Sequence, residues 1–315
     1  MSRPAMSAYD RSSDIYEIMQ ARISEHRRKR RITGLAGAAV FVLLFLVASW
    51  WTDFGLGPII EGLPKLGSYF SKLFSTPVST TSAERIPVVS AAHFFGGWDT
   101  KQSFLYWFYN IETFVSLILD TIAMAVLATL LGFTIAFAAS FPASHNLSPS
   151  GWLTWVSRRV LEILRSIPDI VFALFFVFCY GIGPLAGILA MGLHTGGALG
   201  KLFSELNENV SPRPIEGIRS VGANWFDTMR YAVVPQVFPG FISYALLRLE
   251  INVRSSAIIG VVGAGGIGEE IKKVINFNRY EDISAIVILV VLVVIAIDTI
   301  SGYVRHRFIG DPRVA

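Results

Sequence analysis

The sequence predicts an all-helical polytopic membrane protein with about six transmembrane helices. Of its 315 residues, 53% are hydrophobic and only 16% are charged, which makes the chain far more apolar than a soluble domain of this length. Six apolar runs approach the roughly 20 helical residues that cross a bilayer. They lie at 32–51, 113–139, 167–182, 184–203, 236–259 and 283–304.

The first run follows a basic tail, and we expect it to remain as a membrane anchor. A cleaved signal peptide is the alternative, but no small-residue cleavage site follows Trp50-Trp51. Within the tail, four apolar residues stand at helical spacing ahead of a basic end. They predict either an amphipathic helix on the inner membrane surface or a solvated disordered tail: Ile15, Ile18, Met19 and Ile23.

The segment between the first two runs is predicted to lie outside the membrane. Gly, Pro and Ser interrupt the stretch from Leu63 to Phe74, and an aromatic cluster spans Phe104–Tyr109. Aromatic rings favour the headgroup level of a bilayer. We therefore expect the cluster to lie at that level.

The third and fourth runs are predicted to form a helical hairpin, because only Gly181-Ile182-Gly183-Pro184 separates them. Several glycines around the fourth run are four residues apart, a spacing that lets helix backbones approach closely in lipid. The pattern predicts a tightly packed bundle. The glycines are Gly183, Gly187, Gly192, Gly196 and Gly200.

The distribution of Lys and Arg predicts the orientation. If the N-terminus is cytoplasmic, the inner segments hold 18 of these residues and the outer segments hold 7. The positive-inside rule then places both termini, and the polar connection before the fifth run, in the cytoplasm. The net charge of +4 follows this distribution, so we predict no nucleic-acid partner. The predicted parts are a basic tail (1–31), a first helix with an outer loop (32–110), a core (111–305) with a polar connection at 208–235, and a second tail (306–315).

That polar connection carries a spaced motif. Residues 216–235 read EGIRSVGANWFDTMRYAVVP. The spacing of Glu216, Gly222 and Pro235 resembles the EAA loop in the permease subunits of binding-protein-dependent ABC importers. The spacing is kept, although the usual alanine pair is not. The departures from the pattern are Gly217, Ile218, Ala232 and Val234.

Two further segments carry the same resemblance. Residues 165–169, RSIPD, and residues 248–268, RLEINVRSSAIIGVVGAGGIG, are similar to the branch of these permeases that serves phosphonate, phosphite and related phosphate analogues. The resemblance covers about residues 110–305 and implies a type I, MetI-like importer fold in a bacterial inner membrane. Methionine-type or other small-solute permeases, which share that fold, are the alternative.

The resemblance also implies partners. Two permease chains, expected to be identical, would form the pathway in the lipid bilayer, two cytoplasmic ATPase subunits would bind beneath them, and an extracytoplasmic binding protein would deliver the solute. ATP and Mg would be bound by the ATPase, and this chain would hold no cofactor. The residues implied in coupling to the ATPase are Glu216, Gly217, Gly222, Ala223 and Pro235.

The residue types at three of these positions indicate their roles. Glu216 can complement a helix N-terminus or pair with a basic residue of the ATPase. Gly222 permits a tight bend, and Pro235 suits the restart of the chain into the fifth run.

The fifth run contains charged residues, which cost about 2.5–3.5 kcal/mol each at membrane depth and therefore need partners or water. Glu250 and Arg254 are four apart and can form an ion pair on one helix face. Alternatively, Arg254 faces the path of an anionic solute or contacts a neighbouring subunit. The candidate pathway residues are Glu250, Asn252, Arg254, Ser255, Ser256, Gly263, Gly265 and Gly266.

Three aspartates in or beside other runs are expected to have lesser roles. Asp120 and Asp298 lie towards the ends of their runs, where hydration is sufficient to accommodate them. Asp169 follows Pro168 and is expected to complement the N-terminus of the third helix.

Two glycine-rich stretches resemble nucleotide-binding motifs, but neither is predicted to bind a nucleotide. Residues 263–268 satisfy G-x-G-x-x-G but lie between two membrane-length runs, so we interpret them as a bend lining a protein-buried or water-filled path. Residues 195–202 approach a P-loop but have Thr195 and Leu202 at required Gly and Ser/Thr positions. We therefore predict no ATPase site and no enzymatic activity on this chain.

A lone Cys179 and scattered histidines predict no metal site. An ion-coupled secondary transporter is the main rival from another class, since it also uses intramembrane charges and broken helices. Such a transporter would need no ATPase partner. The motif in residues 216–235 argues against it.

Overall fold

The computed structural model describes residues 8–52, 56–73, 75–79, 82–87, 108, 110–277 and 280–309. The backbone is helical apart from one short hairpin, and the chain divides into two compact units, Met1–Phe70 and Ser71–Ala315. The predicted side-chain stripe of the tail and all but residue 108 of the predicted aromatic cluster lie outside the described residues.

The N-terminal unit contains a helix much longer than the predicted first run. Helix α1, Ala8–Trp51, has 44 residues, a length of about 66 Å. Its part Lys29–Trp51 is long and apolar enough to cross a membrane. Helix α2 follows at Leu56–Leu73. The hairpin belongs to the second unit. It pairs strand β1, Ser75–Ser79, antiparallel with β2, Ser82–Pro87, and Thr76 lies opposite Ile86.

The second unit continues with nine helices among the described residues and two π-helical turns, Met229–Val233 and Gly260–Ala264. The helices are α3, Ile111–Ala143; α4, Gly151–Ser166; α5, Asp169–Tyr180; α6, Pro184–Glu208; α7, Pro212–Ser220; α8, Trp225–Thr228; α9, Val234–Ile259; α10, Ile267–Asn276; and α11, Tyr280–Ile309.

Four of the six predicted runs fall within helices that are long and apolar enough to span a bilayer. These are the runs in α1, α3, α9 and α11. The fourth run lies in the 25-residue α6. The third differs from the prediction, because α5 has only 12 residues, about 18 Å of helix, which is too short to cross about 30 Å of hydrocarbon.

The residues before α5 explain the difference. The interval between the second and third runs, expected to be a loop, is largely the helix α4, which lies along α6 ahead of α5. The break between them falls at Pro168, which lacks a backbone donor. The carbonyl of Ile167 at the break accepts a hydrogen bond of 2.9 Å from His194 Nδ1 on α6. Asp169 lies in the first turn of α5, as its predicted role requires.

Helix α6 is the axis of this unit, and its glycines permit the close approach that their spacing predicts. A Cβ atom at Gly192 would lie 2.6 Å from Leu131 Cδ2 of α3, and one at Gly197 would lie 2.6 Å from the backbone nitrogen of Arg165 on α4. Neighbouring backbones therefore pack against α6 where a larger side chain has no room.

The contacts along α6 also set the helix directions. Met124 of α3 lies beside Gly187 near the start of α6, and Ser144, just after α3, donates to the carbonyl of Ser204 near its end. Helices α3 and α6 therefore run parallel. Helix α9 runs the opposite way, because its early Gly240 meets Leu206 and its later Ser256 meets Met191.

A cluster of aromatic rings fills the end of the bundle where α6 finishes and α9 begins. Phe203 of α6 and Phe241 of α9 stack with ring centroids 4.0 Å apart, and both side chains are fully buried. Ile215 of α7 packs into the same cluster. The short helices between α6 and α9 are thus anchored to the bundle. The other rings are Phe133, Phe137 and Phe141.

Replacing Gly197 with Leu is expected to lower the free energy of unfolding by about 1–3 kcal/mol, because overpacking displaces α4. The effect can be measured by denaturant titration in detergent micelles. Gly302→Leu on α11 is the matched control, since no atom lies within 4 Å of its Cβ position. Equal losses in the two variants would contradict the packing role.

Candidate coupling surface and solute pathway

The segment from α7 to the start of α9 is a compact reversal of the chain. Pro212 stands in the first turn of α7, where a missing backbone donor costs nothing, and Pro235 lies where the π-helical turn passes into α9. Between α7 and α8, Gly222 has φ +83°, a left-handed conformation that favours glycine. Asn224 then caps α8 by accepting from the Asp227 backbone N–H at 2.9 Å.

One face of this reversal binds the rest of the chain. Ile215 is buried in the aromatic cluster. The indole N–H of Trp225 donates to the carbonyl of Leu147 at 2.7 Å, and the backbone N–H of Ser211 donates to Gln236 Oε1 at 3.1 Å. These contacts hold both short helices in a fixed position.

The opposite face is exposed and partly apolar. Val221 is 81% exposed and Phe226 is 75% exposed. Glu216 and Gly217 lie on α7 with exposed side-chain positions, whereas Ala223 is half-buried. Glu216 stands in the second turn of α7 rather than at its N-terminus. Of the two roles considered for it, pairing with a partner's basic residue fits this position.

Helix α9 buries two of the candidate pathway residues. Asn252 is only 3% exposed and joins three helices, because its amide donates to Thr129 Oγ1 of α3 at 2.9 Å and its Oδ1 accepts from Thr195 of α6 at 3.0 Å. Ser256 is fully buried, and its hydroxyl oxygen lies 3.3 Å from Met191 Sδ of α6. Both side chains therefore serve contacts between helices. Ser255 is half-buried beside them.

The charges of α9 pair differently from the sequence prediction. Glu250 and Arg254 do not bond to each other; each has a partner on the antiparallel α11. Arg305 lies 3.3 Å from Glu250, and Asp298 lies 3.8 Å from Arg254. The correction follows from the register of the two helices, which the spacing within α9 cannot reveal. Asp298 thus has an ion-pair partner, Arg254, where hydration alone was expected.

The Arg254 pair is open to its surroundings. The Arg254 side chain is 56% exposed and that of Asp298 is 44% exposed, although both lie within helices of membrane-spanning length. The Glu250 side chain is only 11% exposed. Among the charged candidates on α9, Arg254 is thus the one that presents its charge outward.

The glycine-rich bend after α9 is buried within the protein. Gly263, Gly265 and Gly266 all have positive φ, and all three are buried. The carbonyl of Gly263 accepts from the Gly183 backbone N–H at 3.0 Å, which ties the bend to the turn before α6. The Ile267 backbone N–H, at the start of α10, donates to Thr121 Oγ1 of α3 at 2.9 Å.

Sequence reasoning missed the residues on other helices that complete these contacts. Thr121, Thr129 and Thr195 are isolated hydroxyls within apolar stretches, and Arg305 lies in the last turns of α11. The sequence could have indicated these residues by their polarity alone, since a hydroxyl inside a membrane-length helix needs a partner. Which partner it meets depends on helix register.

The chain resembles a described protein family over most of this unit. The profile of the family described as "Binding-protein-dependent transport system inner membrane component" matches residues 128–310. The match includes the exposed reversal, the buried polar network of α9 and the glycine-rich bend.

Three relatives named as transport proteins share substantial identity with this chain. The phosphite transport system permease protein PtxC of Stutzerimonas stutzeri is 31% identical over 82% of this chain and 90% of its own length. The phosphate-import permease protein PhnE of Mycolicibacterium smegmatis is 36% identical over 60% of this chain and 36% of its own length. A putative cryptic phosphonate transport system permease protein of Escherichia coli is 43% identical over 39% of this chain and all of its own length.

The fold is also similar to that of solved transporters. A chain of the MetNI methionine ABC transporter, solved in inward-facing conformations, superposes with a TM-score of 0.56. The superposition covers 64% of this chain and 98% of that chain at 21% identity. At this identity the likeness concerns the fold alone.

Replacing Asn252 with Leu is expected to lower the free energy of unfolding by about 0.6–1.7 kcal/mol, the range for interhelical hydrogen bonds in membranes. Thr129 and Thr195 lose their shared amide in this variant. Thermal denaturation in detergent micelles measures the change, and Ser255→Ala, on the same helix, is the control. Unchanged stability of Asn252→Leu would show that the network does not hold the helices.

Proposed function

The chain belongs to the family of binding-protein-dependent transport system inner membrane components, and we propose that it forms the pathway of an importer for a phosphorus oxyanion. Phosphonate, phosphite and phosphate are the solutes considered. The names of the three relatives support this solute class. The observation that carries the proposal is the outward-facing guanidinium of Arg254 at membrane depth.

An arginine suits this solute chemically. A guanidinium presents a planar set of N–H donors that matches the oxygens of a phosphorus oxyanion, and it stays charged at every physiological pH. At 3.8 Å, the distance between Arg254 Nη2 and Asp298 Oδ1 exceeds that of a normal hydrogen bond. An incoming oxyanion can therefore compete with Asp298 for Arg254.

The exposure of this pair also supports a second permease chain. Charges at membrane depth face the interior of a bundle or a water-filled cavity rather than lipid. A single chain leaves Arg254 and Asp298 on its surface. A second copy placed against this face, in a homodimer, would shield the pair from lipid and enclose a path between the chains.

We further infer six crossings per chain with both termini cytoplasmic. Helices α4 and α5 follow one another along α6, so together they can make the crossing that α5 alone is too short to make. The excess of Lys and Arg in the tails, in α4 and in the α6–α9 connection supports this orientation. The membrane would be a bacterial inner membrane.

The α7–α9 reversal is proposed as the docking surface for a cytoplasmic ATPase. Its exposed Val221 and Phe226 offer apolar contact area, while Ile215 and Trp225 anchor it to the bundle. ATP and Mg would be bound by that ATPase and not by this chain. An extracytoplasmic binding protein would deliver the solute to the other side.

Arg254→Gln is expected to reduce uptake of radiolabelled phosphite, phosphate or methylphosphonate by about ten-fold or more, since a hydrogen bond to a charged group contributes about 1.5–3 kcal/mol. Vesicles containing the permease, its cognate ATPase and its binding protein provide the assay. Arg254→Lys, which keeps the charge, should retain part of the uptake. Normal uptake by a normally assembled Arg254→Gln transporter would refute the role.

Gly222→Arg is expected to leave membrane insertion intact and to uncouple transport from ATP hydrolysis. A side chain in the left-handed conformation costs about 1–2 kcal/mol, so the bend must change shape. Solute uptake and ATP hydrolysis are measured together in the same vesicles. Gly67→Arg in α2 is the control, because it adds the same side chain at a helical glycine whose Cβ position has no atom within 4 Å. Wild-type uptake by stably expressed Gly222→Arg would count against a docking role for this bend.

A further inference from the structure

The turn between α3 and α4, residues 144–150, contacts several elements besides the two helices that it connects. Leu147 at its centre is 1% exposed and packs in the aromatic cluster together with Ile215 of α7 and Val237 of α9. The hydroxyl of Ser144 is buried and donates to the carbonyl of Ser140 at 2.7 Å. The turn is therefore embedded in the inner end of the bundle.

Four polar contacts bind the 144–150 turn to the end of α6. The Asn146 side chain donates to the carbonyl of Asn207 at 3.0 Å, and the His145 backbone N–H donates to Glu208 Oε1 at 2.9 Å. The last carbonyls of a helix have no partner within the helix, so the Asn146 bond caps α6. The other two contacts are longer: the Asn146 amide lies 3.5 Å from the carbonyl oxygen of Glu208, and Ser144 Oγ lies 3.4 Å from that of Ser204.

Arg158 of α4 binds residues on both sides of these contacts. Its guanidinium forms an ion pair with Glu208, and its Nε donates to the carbonyl of Ala143 at 2.8 Å. One side chain thus links α4 to both the last residue of α3 and the last residue of α6. Arg159, the next residue, pairs only along its own helix with Glu162 and is more than half exposed.

The same turn also binds the exposed reversal directly. The carbonyl of Leu147 accepts the indole N–H of Trp225 at 2.7 Å. Glu208 immediately precedes the segment that leads into α7, and Trp225 begins α8. The 144–150 turn therefore contacts the reversal at Ile215 and Trp225, and it also binds the last residue of α6 just before the reversal begins.

We propose that the 144–150 turn transmits displacement of the α7–α9 reversal to helices α3, α4 and α6, with Arg158 as the positioning residue that keeps the turn rigid. The inference rests on the proposed coupling function and specifies the part of the chain that performs it. Without the Arg158 contacts, the reversal can move with its ATPase while the ends of α3 and α6 lag behind. ATP hydrolysis then continues with less solute movement.

Arg158→Gln tests the proposal against its neighbour Arg159→Gln, which removes the same charge from the same helix turn. Both variants are assembled with the cognate ATPase and binding protein in vesicles. Radiolabelled phosphite, phosphate or methylphosphonate taken up per ATP hydrolysed is then measured. Arg158→Gln should lower this ratio by about two- to thirty-fold, the range for residues along a coupling network. Arg159→Gln should keep the wild-type ratio.

A merely structural Arg158 would reduce the amount of assembled transporter and leave the ratio unchanged, and that result overturns the proposal. If Arg158→Gln does not assemble, Arg158→Lys and Trp225→Phe decide the question. The first keeps the ion pair with Glu208, and the second keeps the ring but removes the donor to Leu147. A lowered ratio in either variant supports the proposal, and wild-type ratios in both reject it.

Failure of the proposed function gives a different pattern. A wild-type complex that takes up none of the three oxyanions contradicts the solute assignment. Coupling is then read from the stimulation of ATP hydrolysis by the binding protein carrying its co-purified ligand. Loss of that stimulation in Arg158→Gln, with stimulation kept in Arg159→Gln, still supports transmission through the turn.

Discussion

The close packing of neighbouring helices against the glycines of α6 is the interaction on which the rest of the core depends. In lipid, apolar side chains gain little by leaving the solvent, so helices associate through close contact and hydrogen bonds. Helix α3 reaches α6 at Gly192, and α4 reaches it at Gly197. This proximity brings Thr129 and Thr195 within reach of Asn252 on α9. The polar network is therefore a consequence of the packing.

A second constraint shapes the places where helices break. Backbone groups in hydrocarbon must be paired within the protein, so irregular backbone persists only where neighbours supply partners. His194 supplies one at the break before Pro168, and Thr121 supplies another at the start of α10. The bend at Gly263 is tied to Gly183 in the same way. Each break thus lies against a helix that satisfies it, which lets the bundle hold bends without exposing polar atoms to lipid.

Much of this architecture can be predicted from the sequence, because apolar length and glycine spacing are local properties. These local properties predict the positions of α3, α9 and α11, the bend at Gly222 and the family itself. Helix α4 was missed because its amphipathic sequence lacks a continuous apolar run. The predicted ion pair between Glu250 and Arg254 was wrong. The partner of each residue lies about 50 residues away on α11, so the pairing depends on helix register. The sequence also could not reveal that Asn252 faces inward while Arg254 faces outward, because helix rotation is decided by packing.

The two faces of the α7–α9 reversal have a consequence for how such transporters diverge. Ile215 and Trp225, which fix its shape, pack against the bundle. Val221 and Phe226 are largely exposed, and Phe226 meets the ring of Trp225 edge to face. Mutations on the outward side can accumulate without disturbing the fold. Under the docking role proposed above, recognition of the ATPase can change together with the ATPase itself, so duplicated transporters in one cell can each come to bind only their own ATPase while keeping a common mechanism.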